Sequence, residues 1–401
     1  LVGYLGAYDL RIILGTESFL PNISGVAVSS ELLATNLAQK GHEVHVFAPS
    51  RSFWTHDDAG FGAFHVLRFR SIPHPFRKGF RISFLPQIEI PSMVKELRPD
   101  IVHLQDPGSI SAALRKSARR GGIPVVIANH FTLDYAISYM RYVEFAHPMM
   151  RRILEGYLVR FYNECDLVLC PSETVQRELS GLGIKTPIVP VSNGVDLERF
   201  YSYSSPAAVR AKWRLPPAPV VLYVGRVDRD KSLDVLIHAI PNVIEEVDAQ
   251  FVFVGDGNDL NRLRKMAEDL GLRKAVTFLG WIDHQSPDLP QLYQIAELFA
   301  IPAPFEAQSI VTLEAMAAGL PIVAADSGAL PELVKDAENG ILFPPGSSDE
   351  LAGAIVTILA NRALGEEMRK SSLRIVSAHR IANSLAKIEA LYERARQMVQ
   401  H

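Results

Sequence analysis

The sequence predicts an α/β fold of two successive units, each a largely parallel sheet wound through crossover helices. Three observations predict it. The chain has 401 residues, more than one hydrophobic core usually organises, so two domains of roughly 200 residues are expected. Short runs rich in Val and Ile alternate with helical stretches almost throughout, the pattern of strands joined by crossover helices. A stretch at 201–219 that contains YSYSSP and LPPAP breaks this alternation once, near the middle, and its prolines read as a linker.

The first series runs through LRIILG, a helix from about Ser29 to Lys40, HEVHVFAP, DIVHLQ, IPVVIANH, DLVLCPSE and TPIVPVSNGV. The second runs through VVLYVG, AQFVFVGDG, AVTFLGW, LFAIPA, LPIVAAD and NGILFPP. After Pro345 the chain turns helical and ends in a stretch whose apolar residues recur at helical spacing, as expected of a helix packed on a domain surface. The expected division is a first domain at 1–200, a linker at 201–219, a second domain at 220–375 and a helical tail at 376–401 that packs back on the first domain. No short repeated unit is present, which argues against a solenoid.

Composition narrows the function classes. A net charge of -3 gives no global attraction to nucleic acid, so an anionic partner has to meet a local basic patch. Cys165 and Cys170 are the only cysteines, and their spacing suits neither a zinc site nor a redox pair; both read as buried strand residues. The apolar runs are shorter than the roughly 18 residues that suggest a membrane span. The scarcity of cysteine, with no secretory signal pattern at the first residues, favours the cytoplasm.

Open α/β sheets bind ligands at the carboxyl ends of their strands, so the loops after each strand hold the candidate residues. After the first strand, Gly25 opens a helix and could let backbone approach an anion, although a glycine there also serves tight packing. Arg226 and Lys231, five apart just past VVLYVG, can converge on a phosphate pair or stand as solvated charge. Asp256 lies between Gly255 and Gly257, where a plain turn is the other reading. In PAPFEAQSIVTLEAMAAGLPIVAA, Glu306 sits on a loop and Glu314 lies eight residues on, inside a predicted helix. A helix starting near Ser309 aims free amides, those of Ile310 onward, at whatever lies beside Glu306.

In this order the motifs FLPNISGV, NHFT, SNGVD, GRVDRDK and FEAQSIVTLEAMAAG resemble those of the retaining glycosyltransferase family 4, and the resemblance covers nearly the whole chain. It implies the GT-B fold, two Rossmann-like domains across a cleft, with a nucleotide-sugar donor on the second and an acceptor on the first. Carried over residue by residue, Arg226 and Lys231 would neutralise the diphosphate, Glu314 bind the ribose, Glu306 hold the donor sugar, and His130, for which a structural histidine is the other reading, contact the sugar near the reacting carbon. Gly25 and Gly225 would line the donor, with Asp256, Gly257, Gln308, Ser309 and Ile310, and Gly280 to Ile282, including Trp281, would seat the base. Ser309 departs from the glycine that many relatives carry, which bears on donor detail. The resemblance further implies front-face retention without a carboxylate nucleophile; a covalent intermediate on a side chain in the cleft is the alternative, and Asp134 is the nearest carboxylate in sequence. With Arg226 and Lys231 acting as the cations, no metal and no cofactor are expected.

For the acceptor, Phe76, Phe80 and Phe84 interleave with Arg77, Lys78 and Arg81, and Met149 and Met150 adjoin Arg151 and Arg152. Cations beside apolar side chains suit an anionic bilayer surface, and solvated charge beside core aromatics is the other reading. The expectation is hexose transfer, UDP-glucose favoured, to a membrane lipid such as diacylglycerol, with peripheral attachment to the inner membrane face. A GDP-mannose donor, a soluble sugar acceptor, a nucleotide-sugar epimerase and a non-catalytic sensor are the alternatives. The sequence fixes no oligomeric state.

Overall fold

The computed structural model describes residues 10–21, 24–74, 81–130, 147–201 and 205–400. Two compact units emerge, one made of the chain up to residue 192 together with residues 384–400, the other of residues 193–383. Arg77, Lys78, Phe76, Phe80 and Asp134 lie outside the described residues.

The first unit is built on an eight-stranded sheet ordered β10-β9-β8-β7-β1-β2-β4-β3. Its strands are β1 (Arg11–Gly15), β2 (Glu43–Pro49), β3 (His56–Asp58), β4 (His65–Phe69), β7 (Ile101–Leu104), β8 (Val125–Ala128), β9 (Leu167–Cys170) and β10 (Ile188–Pro190), and β5 (Ser71–Pro73) and β6 (Arg81–Ser83) form a separate antiparallel hairpin. All neighbours run parallel except β3 on β4. Central strands covered on both faces are buried throughout, as Ile101–Leu104 and Val125–Ala128 are, and the one polar side chain among them, His103, is paired with the Tyr392 hydroxyl. Cys165 and Cys170 are both buried and form no disulfide; Cys170 ends β9 as expected, whereas Cys165 lies ahead of that strand, in the turn after the helix His147–Asn163.

The second unit carries a six-stranded parallel sheet ordered β13-β12-β11-β14-β15-β16. Its strands are β11 (Val220–Val224), β12 (Gln250–Val254), β13 (Val276–Gly280), β14 (Leu298–Ile301), β15 (Ile322–Ala325) and β16 (Gly340–Phe343). Its core stacks Leu222, Tyr223, Phe253 and Phe299 against helix residues such as Ile237, Leu313 and Ile355. Each sheet reverses its winding beside its first strand, between β1 and β7 in one unit and between β11 and β14 in the other, and such switch points open a crevice for ligand.

The chain changes unit at Ser192/Asn193, ahead of the proline-rich stretch. The reason is packing: within 201–219, the helix Pro206–Trp213 and the turn after it bury Val209 and Leu215 in the second core. The tail also divides. Arg380 pairs with Val195 in the second unit, whereas the rest of the helix Ile381–Gln400, from Ser384 on, belongs to the first. Tyr392 meets His103 there, and Glu389 receives Lys40 and His42. No helix among the described residues is long and apolar enough to cross a membrane.

Candidate active site

In the second unit the loops after β11 and β14 meet at the switch point. Lys231 Nζ lies 2.6 Å from Glu306 Oε1, so residues 75 positions apart in sequence share one ion pair. Arg226 donates to Asp228 and, at 2.7 Å, to Asp230. Asp228 is itself fixed, accepting the Asn258 amide at 2.8 Å. Two cations against three carboxylates leave this cluster a formal charge of 2 − 3 = −1. A diphosphate bound here therefore has to exchange with carboxylates for its cations, a competition that spacing alone did not reveal.

The surrounding glycines explain how the strand ends fit. Gly225 and Gly255 have φ of +149° and +140°, and a Cβ on Gly255 would stand 1.8 Å from the Gly225 carbonyl oxygen. At Gly257 a Cβ would fall 2.3 Å from the Val227 oxygen, so its small size serves packing. Asp256 is an exposed loop residue whose carboxylate accepts the Gly257 amide at 2.8 Å.

Ser309 caps the helix Ile310–Ala317, accepting the Thr312 amide, and is almost wholly buried. The capping hydroxyl thus takes one amide of the first turn, and Ile310 and Val311 supply the next ones. Gln308 accepts the Asn193 amide at 2.7 Å, tying the loop to the start of the unit. Glu314 is 2% exposed, with Oε1 at 2.8 Å from His284 Nε2 and Oε2 accepting the Tyr293 hydroxyl at 2.8 Å. His284 and Tyr293 were not singled out from sequence. His284 follows the AVTFLGW strand whose loop had been read for its base-seating residues, and only the fold brings it under Glu314. Trp281 in that loop is half exposed and Ile282 packs on the core.

In the first unit His130 follows β8, its Nε2 2.9 Å from Gln105 Oε1 at the end of β7. Desolvation pushes its pKa down to about 4. Gly25 opens the helix Gly25–Gln39 behind the capping Ser24, and among the described residues a Cβ there would meet no atom within 4 Å, so packing against them does not require a glycine. Glu17 and Asp106, carboxylates of the loops after β1 and β7, form a second cluster that the motif reading passed over. Asp106 accepts from Thr16 Oγ1 at 2.9 Å and from the Glu17 amide at 2.6 Å. Glu17 accepts from Ser109 Oγ at 2.6 Å and the Ile110 amide at 2.8 Å.

Of the expected surface cations, Arg81 turns inward, donating to Ser71 Oγ and to the Ser71 carbonyl at 2.6 and 2.7 Å. Arg151 pairs with Glu155 at 2.8 Å, and Arg152 is exposed.

Residues 23–199 match the family described as Glycosyltransferase Family 4, and residues 207–374 match Glycosyl transferases group 1. The chain belongs to this glycosyltransferase family. It is 28% identical over 377 residues to alpha-monoglucosyldiacylglycerol synthase of Streptococcus pneumoniae, covering 92% of this chain and 83% of that one. A GDP-mannose-dependent alpha-(1-6)-phosphatidylinositol monomannoside mannosyltransferase of Mycobacterium tuberculosis is 29% identical over 366 residues, covering 88% and 90%. Among solved structures, HepE of Anabaena in complex with UDP matches with a TM-score of 0.76 at 20% identity, covering 96% of this chain and 100% of that one. Sucrose-phosphate synthase of Thermosynechococcus elongatus matches at 0.78 and 22%, covering 96% and 98%. The glycosyltransferase is thus a GT-B protein with two Rossmann-like halves, and it transfers sugar from a nucleotide sugar.

Proposed function

We propose that this glycosyltransferase moves a hexose, with retention and without a metal, from UDP-glucose to a membrane lipid such as diacylglycerol. The observation that carries the donor half is the Lys231–Glu306 pair beside Arg226 and the first turn of the helix Ile310–Ala317. Breaking the sugar–phosphate bond builds charge on the departing diphosphate, and fixed cations and amides stabilise that charge most in the transition state. Phosphate oxygens replace carboxylates on Arg226 and Lys231, and Glu306, released from the lysine, accepts sugar hydroxyls. The same two cations supply the charge that a divalent ion supplies elsewhere. In front-face retention the departing phosphate takes the acceptor's proton, so Glu306 positions and does not attack.

The acceptor half is supported by the first unit's surface. Met149, Ile153 and Tyr157 recur every four residues on the helix His147–Asn163 and are exposed, with Arg151 and Arg152 alongside. Ile72, Phe84 and Ile88, on and just after the β5–β6 hairpin, and Phe53 and Trp54, between β2 and β3, are exposed as well. Relatives named for diacylglycerol and phosphatidylinositol substrates support a lipid acceptor, and the mannosyltransferase among them favours GDP-mannose as the second reading.

The test is transfer by the full chain to diacylglycerol in anionic vesicles, with UDP-glucose, UDP-galactose and GDP-mannose offered separately in the presence of EDTA. An α-linked glucolipid is expected, with Arg226→Ala and Lys231→Ala each lowering the rate by about 100-fold or more, as loss of a charge-assisted phosphate contact implies. Met149→Asp with Ile153→Asp should release the protein from vesicles without lowering its Tm. A β-linked product, or dependence on added metal, would overturn the mechanism; glycosides made only in solution would overturn the acceptor.

A further inference from the structure

Gln105 is 2% exposed, and its Nε2 finds no hydrogen-bond partner among the described residues. Its Oε1 is the atom facing His130 Nε2 at 2.9 Å. An amide oxygen only accepts, so the imidazole must carry a proton on Nε2. Desolvation holds His130 at about 4, which keeps the ring neutral near pH 7 and leaves Nδ1 as a bare lone pair. Among the described residues, neither His103 nor Asp106 adds a positive charge beside it. His103, two residues before Gln105, has Nδ1 at 2.6 Å from the Tyr392 hydroxyl and is pushed down to about 3 by burial and by His130. Asp106, the next residue along, turns its carboxylate to Thr16, Glu17 and Gly108.

We propose that Gln105 is the positioning residue for His130: its amide oxygen holds the imidazole in the Nε2–H tautomer, which leaves Nδ1 as the hydrogen-bond acceptor for a substrate hydroxyl. The role given to the hydroxyl rests on reading His130 as a substrate contact; the tautomer rests on the geometry alone. A neutral ring with one acceptor selects a hydroxyl that can donate, and it offers no proton to the leaving group.

The experiment is nitrogen-15 NMR of the full chain labelled at histidine, with His130 assigned from a His130→Gln sample, alongside steady-state kinetics. Wild type should show neutral His130 protonated on Nε2 from about pH 5 to 8. Gln105→Met should mix the tautomers and lower kcat by about 10- to 100-fold, the scale of one lost buried hydrogen bond, with a smaller change in donor KM. Gln105→Glu keeps the acceptor and so keeps the Nε2–H tautomer, while its charge raises the His130 pKa and puts a new limb on the pH–rate profile. Wild-type protonation on Nδ1, or an unchanged tautomer in Gln105→Met, overturns the proposal. A changed tautomer with unchanged kcat overturns its substrate half. Correct tautomers with no transfer from any donor would leave the positioning role standing and remove the proposed function instead.

Discussion

Asp106 shows how one residue can carry a measurable pH signature. Burial, and then the charge of Glu17, raise its pKa to about 7, against the hydrogen bonds that favour the anion. The native state therefore holds a proton that the unfolded chain, at its ordinary 3.8, has released. Stability from this group is fully present below pH 4 and is lost as pH rises towards 7. His103 and His130 act in the opposite sense, because folded values of about 3 and 4 lie under the unfolded 6.5 and cost stability as pH falls through that window. Comparing wild type with Asp106→Asn isolates the carboxylate. Relative to wild type, the variant should gain stability steadily between pH 4.5 and 7 in urea titrations; a constant difference would show that Asp106 ionises normally. In the sequence Asp106 merely follows the strand DIVHLQ, since nothing in a strand-end Asp tells that Glu17, 89 residues earlier, donates its amide to it.

At the scale of elements, the loops that carry Glu306 and Gly328 hold each other. Gly328 has φ of +58°, and a Cβ there would stand 2.8 Å from the Glu306 carbonyl oxygen and 3.0 Å from its nitrogen. The Ala329 amide donates to that same oxygen at 2.8 Å, and Ser327 Oγ donates to the Pro304 carbonyl at 2.7 Å. Gly328→Ala should therefore cost about 1–2 kcal/mol for the left-handed backbone alone. It should also displace Glu306 from Lys231 and from the place where it takes sugar hydroxyls, so UDP-glucose should lose affinity relative to UDP, whose diphosphate then meets less competition for the lysine. Calorimetric titration of UDP-glucose and of UDP into the variant checks this, and an unchanged ratio of the two Kd values would mean that the Glu306 loop does not depend on Gly328. Periodicity and glycine placement made the strand–loop–helix units legible, but the contact between two loops is set by strand order, which places β15 beside β14.

On the scale of the whole molecule, the chain passes from the first unit to the second and returns for its last helix. From Ser384 on, that helix buries Leu385, Leu391, Tyr392 and Ala395 in the first unit. Burial of one large apolar side chain is worth about 1.5–3 kcal/mol, so removing residues 384–401 takes away a sum comparable to the about 5–15 kcal/mol that keeps a domain folded. Truncation after Asn383 should abolish the first unit's cooperative melt and leave that of the second. Survival of both transitions would show that the helix adds little to the first unit.

By itself the sequence determined the alternation of strands and helices, two α/β units, the family, and the loops in which chemistry-bearing residues stand. Those features are local: they follow from side-chain period, glycine and proline placement, and motif spacing. Tertiary structure alone decided which charges meet. Glu306 holds Lys231, His284 and Tyr293 hold Glu314, and Gln105 holds His130. It also placed the unit change at Ser192/Asn193, because Val209 and Leu215, inside a proline-rich stretch, find their partners in the second core. Hydrogen bonds and ion pairs act over a few ångströms, and only the order of strands in a sheet brings residues distant in sequence that close.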